Sequence, residues 1–148
     1  MINKGMFTSN KDDWETPQDL FEELNSQFNF NLDAAASKKN AKCKRYFTKK
    51  DDALKQEWGN NVIWCNPPYG KQIGKFVEKA YYTWLKFPKS IVVMLLPART
   101  DTKWFHEYIY NKAEIRYIKG RIHFSGSKNG APFPSMIVIY KDSKKGSY

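Results

Sequence analysis

The sharpest constraint on what this chain can fold into lies where Val62-Ile63-Trp64-Cys65 runs directly into Asn66-Pro67-Pro68-Tyr69. Four apolar residues, two of them β-branched, read as a short buried strand. Two consecutive prolines offer no backbone N–H and fix φ, so no ladder continues through them. The strand must stop there, and its carboxyl end opens into a stiff loop that begins with an amide side chain.

Around that point the chain alternates helical and extended patterns. Thr16 suits a helix N-cap and Pro17 the first helical position, with Leu20, Phe21 and Leu24 at helical spacing and acids at Asp19, Glu22 and Glu23. Phe28 to Asp33 alternates apolar and polar residues like a half-buried strand, and ends on an acid followed by Ala34-Ala35-Ala36. A short strand is possible at Arg45-Tyr46-Phe47, and a loop or single helical turn near Asp51 to Leu54 and at Trp58-Gly59. Beyond the prolines come a helical stripe from Phe76 to Leu85 closed by Pro88, a buried strand Ile91 to Leu96, and a helix Thr102 to Asn111. Two strands, Glu114 to Lys119 and Ser135 to Tyr140, follow with a Gly- and Ser-rich segment between them.

This order predicts an α/β sheet with a β-hairpin at its edge. One catalytic domain is expected over residues 13–141, with polar, unpatterned ends at 1–12 and 142–148. Ligands of such sheets bind outside the carboxyl ends of the strands, which is where Asp33 and Asn66 fall.

Composition narrows the classes. Among 148 residues, 41% hydrophobic and 16% aromatic content suffices for one core, so whole-chain disorder is excluded. The longest apolar runs fall short of the ~20 residues that span a bilayer, and the first residues lack the apolar run of a signal peptide. A soluble, cytoplasmic protein without membrane contact is the expectation. Cys43, Cys65, His106 and His123 stand at no zinc-ligand spacing, so no metal site is expected. Against 15 acids stand 25 Lys and Arg, a net charge of +10, which favours polyanions such as nucleic acid. Lysine-rich surfaces also simply keep proteins soluble, and charge alone leaves both readings open.

Asn66-Pro67-Pro68-Tyr69 answers one chemical problem, the poor nucleophilicity of a planar amino group. Its lone pair is shared with a π-system. The Asn side-chain oxygen and the following Pro carbonyl can both accept hydrogen bonds from such an NH₂ and draw it towards a pyramidal state. Prolines hold both acceptors in place beforehand, and the Tyr ring offers a flat face for stacking. A plain Pro-Pro turn after a strand is the alternative.

Glu15-Thr16-Pro17 opening a helix, a strand-end acid with small residues after it, Asp52 to Leu54, and then Asn-Pro-Pro-Tyr stand in the order used by S-adenosylmethionine-dependent N6-adenine DNA methyltransferases. With Trp14, Asn40-Ala41-Lys42-Cys43, Leu96 to Asp101, Gly120 to Phe124 and Pro132 to Met136, the chain closely resembles the phage-encoded Dam-type enzymes over Asp13 to Lys141. The resemblance implies a Rossmann-like class I methyltransferase sheet, mostly parallel, and methyl transfer from S-adenosylmethionine to adenine N6 in double-stranded DNA. It implies that Thr16 and Pro17 contact the cofactor's methionine moiety and that Asp33, with the backbone of Ala34 and Ala35, holds the cofactor. It puts Asp52 at the cofactor's adenine, although Asp51 could serve as well. Asn66, Pro67, Pro68 and Tyr69 become the catalytic loop, with Asn66 also at the cofactor, and Phe124 is a candidate clamp on the target adenine, the alternative being that it packs under the hairpin.

The glycine-rich turn common in methyltransferase cofactor loops is replaced here by Ala34-Ala35-Ala36-Ser37, and no carboxylate is evident for the cofactor ribose. Arg99 and Arg121 could meet DNA phosphate or pair with a nearby acid. His106 and His123 read as structural or surface residues. Target selection is expected from loops, Lys38 to Lys50 and Ser125 to Pro134. Methylation of RNA or of protein glutamine, and a nucleic-acid-binding module without activity, are the competing readings.

Overall fold

The computed structural model of the chain describes residues 13–142. The expected lead-in at 1–12, and the tail at 142–148 apart from its first residue, lie outside these.

Among the described residues five strands form one sheet. They are β1 (Leu32–Asp33), β2 (Val62–Cys65), β3 (Ile91–Pro97), β4 (Glu114–Tyr117) and β5 (Ser135–Tyr140), in the order β1-β2-β3-β5-β4. β1, β2 and β3 pair in parallel, and β5 pairs antiparallel with both β3 and β4. Only β5 therefore runs against the other four, and the sheet is mostly parallel. The expected antiparallel pair closes one edge, but β5 is its inner member and β4 the outer. β5 is buried at every position and β4 at none, so the more apolar strand takes the inner place.

Among the described residues three helices cover the sheet: α1 (Gln18–Phe28), α2 (Ile73–Lys86) and α3 (Lys103–Tyr108). Strand register decides which face each protects. Trp64 pairs with Val93, while the adjacent Val92 pairs with Tyr140, so Trp64 and Tyr140 point to opposite faces. Phe21 of α1 packs edge-on against Trp64 at 5.6 Å, whereas Tyr81 and Trp84 of α2 pack against Tyr140 at 6.1 and 5.9 Å. The result is a three-layer α/β/α domain around one core.

Two local expectations change. The N-cap of α1 is Pro17, with no side-chain cap, and Thr16 lies one residue earlier with its hydroxyl engaged elsewhere. The strand expected over Phe28 to Asp33 shrinks to Leu32–Asp33, because α1 continues through Phe28 and ends at Asn29 in the left-handed region (φ 58°). Asn25 secures that exit: its backbone oxygen accepts from Asn29 N and its side-chain oxygen from Phe30 N. Phe30 then packs on Phe21 and Trp64, so an alternating pattern arises from helix-end packing and not from a long strand. The short strand at Arg45-Tyr46-Phe47 survives as a single parallel bridge between Asp33 and Tyr46.

α3 starts where expected, with the Thr102 hydroxyl accepting from Phe105 N, a cap worth about 1 kcal/mol. No helix among the described residues is long and apolar enough to cross a membrane.

Candidate active site

β1 and β2 are neighbours, with Asp33 paired to Trp64, so their carboxyl ends open onto the same rim. A cavity of about 1070 Å³ lies there. Asp33, Ala34, Ala35, Asp52, Asn66, Pro67, Pro68 and Thr16 all border it, which brings most of the sequence-expected residues to one wall.

Asp33 is 3% exposed, and both carboxylate oxygens are already used. Oδ1 accepts from Ala35 N at 3.2 Å and Oδ2 from Lys42 N at 2.9 Å. Burial raises its pKa above the ordinary carboxylate value, and those two amide bonds only partly offset this. The carboxylate thus braces the loop that walls the cavity. The backbone contacts expected from Ala34 and Ala35 need correction on the donor side: Ala34 N donates to Trp64 O and Ala35 N to Asp33, so neither N–H is free for a ligand.

The two acids after this loop stand differently towards the cavity. Asp51 is spent on its own turn, accepting from Thr48 N and Oγ1, and does not border the cavity. Asp52 does border it, exposed, at the start of a single 3₁₀ turn (Ala53–Lys55) with φ 57°.

Asn66 is the chemically distinctive residue. Its Nδ2 donates to the Trp14 carbonyl and, at 3.0 Å, to Thr16 Oγ1. A carbonyl can only accept, so the amide's orientation is fixed with nitrogen towards Trp14. Its Oδ1 is buried and has no hydrogen-bond partner. Leaving such an acceptor bare costs on the order of 1–3 kcal/mol, which a partner from water or a ligand relieves. Trp84 Nε1 and Ser135 Oγ share that state, but of the three residues Asn66 borders the cavity and the other two do not.

Several expected contacts are not at the cavity. Pro17 does not border it. Tyr69 is 3% exposed, its hydroxyl donates to Leu95 O at 2.9 Å, and its ring meets Phe133 and Phe124 edge-on at 5.7 and 6.4 Å. Phe124 is equally buried, with Trp14 at 5.4 Å. The open stacking face expected of Tyr69 and the clamp expected of Phe124 are thus occupied by each other and by their aromatic neighbours. Arg99 reaches the Tyr69 carbonyl at 3.2 Å and Arg121 the Ala131 carbonyl at 3.3 Å, and neither borders the cavity. His106 holds the Thr100 carbonyl through a ring nitrogen, as a structural residue would.

Sequence reasoning missed three groups. The Trp14 carbonyl and the Lys42 backbone N–H are invisible to any reading of side chains. Ser125 borders the cavity and stitches the β4–β5 loop to the residues before α1, donating through N to Glu15 O at 3.0 Å and through Oγ to Thr16 O at 3.3 Å. Gly126, at φ 83°, makes the turn that follows it.

A Rossmann-like α/β sheet with an amide-bearing Asn-Pro-Pro loop at a strand's carboxyl end, beside a strand-end acid, defines a ligand-binding domain of the kind expected for methyl transfer to planar amines. Residues 5–147 match the Dam family, described as DNA N-6-adenine-methyltransferase, and the chain belongs to that family. It is 32% identical to the DNA N-6-adenine-methyltransferase of Escherichia phage T1, over 92% of this chain and 65% of that protein. It is 35% identical to the enzyme of the same name from Haemophilus phage HP1, over 95% of this chain and 87% of that protein. The chain thus spans about two thirds of the first relative's length. A solved, provisionally named methyltransferase complexed with SAH overlays with a TM-score of 0.40 at 14% identity, covering 68% of this chain and 25% of its own.

Proposed function

We propose that this chain transfers a methyl group from S-adenosylmethionine to N6 of adenine in double-stranded DNA, in the cytoplasm of a bacterial or phage-infected cell. The observation that supports the reading is the Asn66 Oδ1, buried without a hydrogen-bond partner on a residue that borders the cavity, with its amide nitrogen held by Trp14 and Thr16. An acceptor held in that state matches a ligand that brings an N–H donor, and an exocyclic amine is such a donor.

The cavity suits the cofactor. Its volume lies at the upper end of ordinary small-molecule sites, and the small side chains Ala34 and Ala35 on one wall leave room for a ligand to approach closely. Asp33 would hold the cofactor indirectly, by bracing residues 35–42 around it, and Asp52 would present a carboxylate to its adenine amine. When bound, S-adenosylmethionine supplies an electrophilic methyl group.

Asn66 Oδ1 and the Pro67 carbonyl accept hydrogen bonds from the target amine and draw its lone pair out of conjugation. The acceptor geometry is set before substrate arrives, so little reorganisation is left for the reaction step. Pro67 and Pro68 stiffen the loop from within. Tyr69 stiffens it from behind: burial pushes its hydroxyl pKa well up, so it stays a proton donor to Leu95 O. The amine of a duplex base is inaccessible, so the base must be flipped out, at a cost of a few kcal/mol offset within the protein.

The test is label transfer from methyl-tritiated cofactor into DNA, RNA and protein, followed by nucleoside analysis. Label recovered as N6-methyladenine from DNA is the expected result. Label confined to RNA or to protein glutamine, or none above an Asn66→Ala control, would overturn the reading.

A further inference from the structure

An amide side chain has nearly the same shape in its two orientations, yet a flip exchanges an acceptor for a donor. For Asn66 the difference decides function under the reading above, on which this inference rests: an NH₂ turned into the cavity would face the substrate's own NH₂ and repel it. Sequence alone leaves this unresolved, because both orientations are written Asn.

We propose that residues 14–16 form an orientation lock on Asn66, with Thr16 as a positioning residue whose hydroxyl acts through the amide. Three observations meet here. The Trp14 carbonyl and Thr16 Oγ1, two residues apart on one short segment, both accept from Asn66 Nδ2. Thr16 is 4% exposed, so water cannot substitute for its hydroxyl without repacking. The segment is itself anchored: the Trp14 ring meets Phe124 and Phe133 at 5.4 and 5.1 Å, and Ser125 binds the carbonyls of Glu15 and Thr16.

Thr16 stands one residue before the N-cap Pro17, and no side chain caps α1. The Thr16 hydroxyl accepts from Asn66 Nδ2 fifty residues away, at 3.0 Å. The resemblance to Dam-type enzymes gives Thr16 a different role, contact with the methionine moiety of the cofactor. The two roles make opposite kinetic predictions. A positioning residue affects the turnover step with both substrates saturating, and a cofactor ligand affects cofactor affinity.

The experiment compares wild type, Thr16→Val and Thr16→Ser in the full chain, measuring kcat, KM for DNA, and the Kd of S-adenosylhomocysteine by calorimetry. Thr16→Val keeps the shape and removes the hydroxyl. It is expected to lower kcat about five- to tenfold, the effect of one neutral hydrogen bond, with cofactor Kd within about twofold. Thr16→Ser restores the hydroxyl and is expected to recover most of the loss. An unchanged kcat for Thr16→Val, a loss confined to cofactor Kd, or a Thr16→Ser variant as poor as Thr16→Val would overturn the lock.

If Thr16→Val does not fold, hydrogen exchange in wild type decides. The Asn66 side-chain amide signals, assigned by their disappearance in Asn66→Ala, should be protected relative to exposed Asn side chains. Unprotected signals would overturn the proposal. Wild-type protein that methylates no DNA would sink the proposed function, while the amide's protection would still report on the lock.

Discussion

β1 and β2 end side by side, each in a polar residue at the rim of one cavity, and the chain treats the two ends in opposite ways. Asp33 at the end of β1 is a buried acid with both oxygens satisfied by backbone amides. Asn66 just past β2 is a neutral amide with its nitrogen satisfied and its oxygen left bare. Asp33 spends its capacity within its own chain, whereas Asn66 Oδ1 keeps its capacity unspent. Under the proposed function these equivalent topological positions divide into architecture and chemistry.

The largest expected effect breaks the chemical side. Asn66→Ala removes the preorganised acceptor, and loss of one such group typically costs about 10²–10³ in kcat. Folding should change little, within about 1 kcal/mol, because two hydrogen bonds are lost but an unsatisfied buried oxygen goes with them. Single-turnover kinetics, melting and cofactor calorimetry together check this. A variant that keeps wild-type turnover would remove Asn66 from the chemistry and end the contrast.

The architectural side should fail in the reverse pattern. Asp33→Asn keeps one acceptor where the chain uses two, so either Ala35 N or Lys42 N loses its partner. A stability loss of about 2 kcal/mol is expected, roughly 4–8 °C in melting temperature, with weaker cofactor binding. The pH dependence has a definite sign. Burial raises the folded-state pKa of Asp33 above its unfolded value. Its contribution is therefore full below the ordinary carboxylate value and declines as pH rises through the raised one. The stability gap between wild type and Asp33→Asn should narrow on going from acid towards neutral pH. A gap that widens instead would mean the amide bonds outweigh burial.

How much of this was legible follows from what sequence patterns encode. β2 and β5 were readable to the residue, since dense apolar runs bounded by Asn-Pro-Pro or Pro-Ser leave few alternatives. The gathering of Asp33 and Asn66 on one rim followed from strand order. The end of α1 was misread because Phe28, Asn29 and Phe30 alternate in a way that suits a strand, while the Asn25 side chain, a local hydrogen-bonding detail, favours a helix exit. Tyr69 reads as an open face and Phe124 as either a clamp or a packed residue, because aromatic residues beside a catalytic motif look the same in sequence whether they await a base or pack together. Trp14 and Phe133 close that cluster, and the pairing depends on where a 17-residue connection between β4 and β5 lands. The orientation of Asn66 rests on a backbone carbonyl, which no residue name records.

The smallest effect concerns charge, and it extends the contrast to the two sides of the rim. On the β1 side Lys49 and Lys50 are exposed and border the cavity, with Lys49 only loosely paired to Asp13 at 3.8 Å. On the other side Arg99 and Arg121 are tied to carbonyls of the chain. Phosphate contacts release counterions, so each one adds about 0.9 to the slope of log affinity against log salt. Lys49→Gln with Lys50→Gln should weaken DNA binding a few-fold across all sequences and reduce the slope by roughly 1–2, with cofactor Kd unchanged. Arg99→Gln with Arg121→Gln should move the slope less and cost melting temperature instead. If the arginine pair carries the larger slope change, DNA approaches from the β4–β5 side and the lysines serve the cofactor wall. A shift in cofactor Kd for the lysine pair would say the same from the opposite direction.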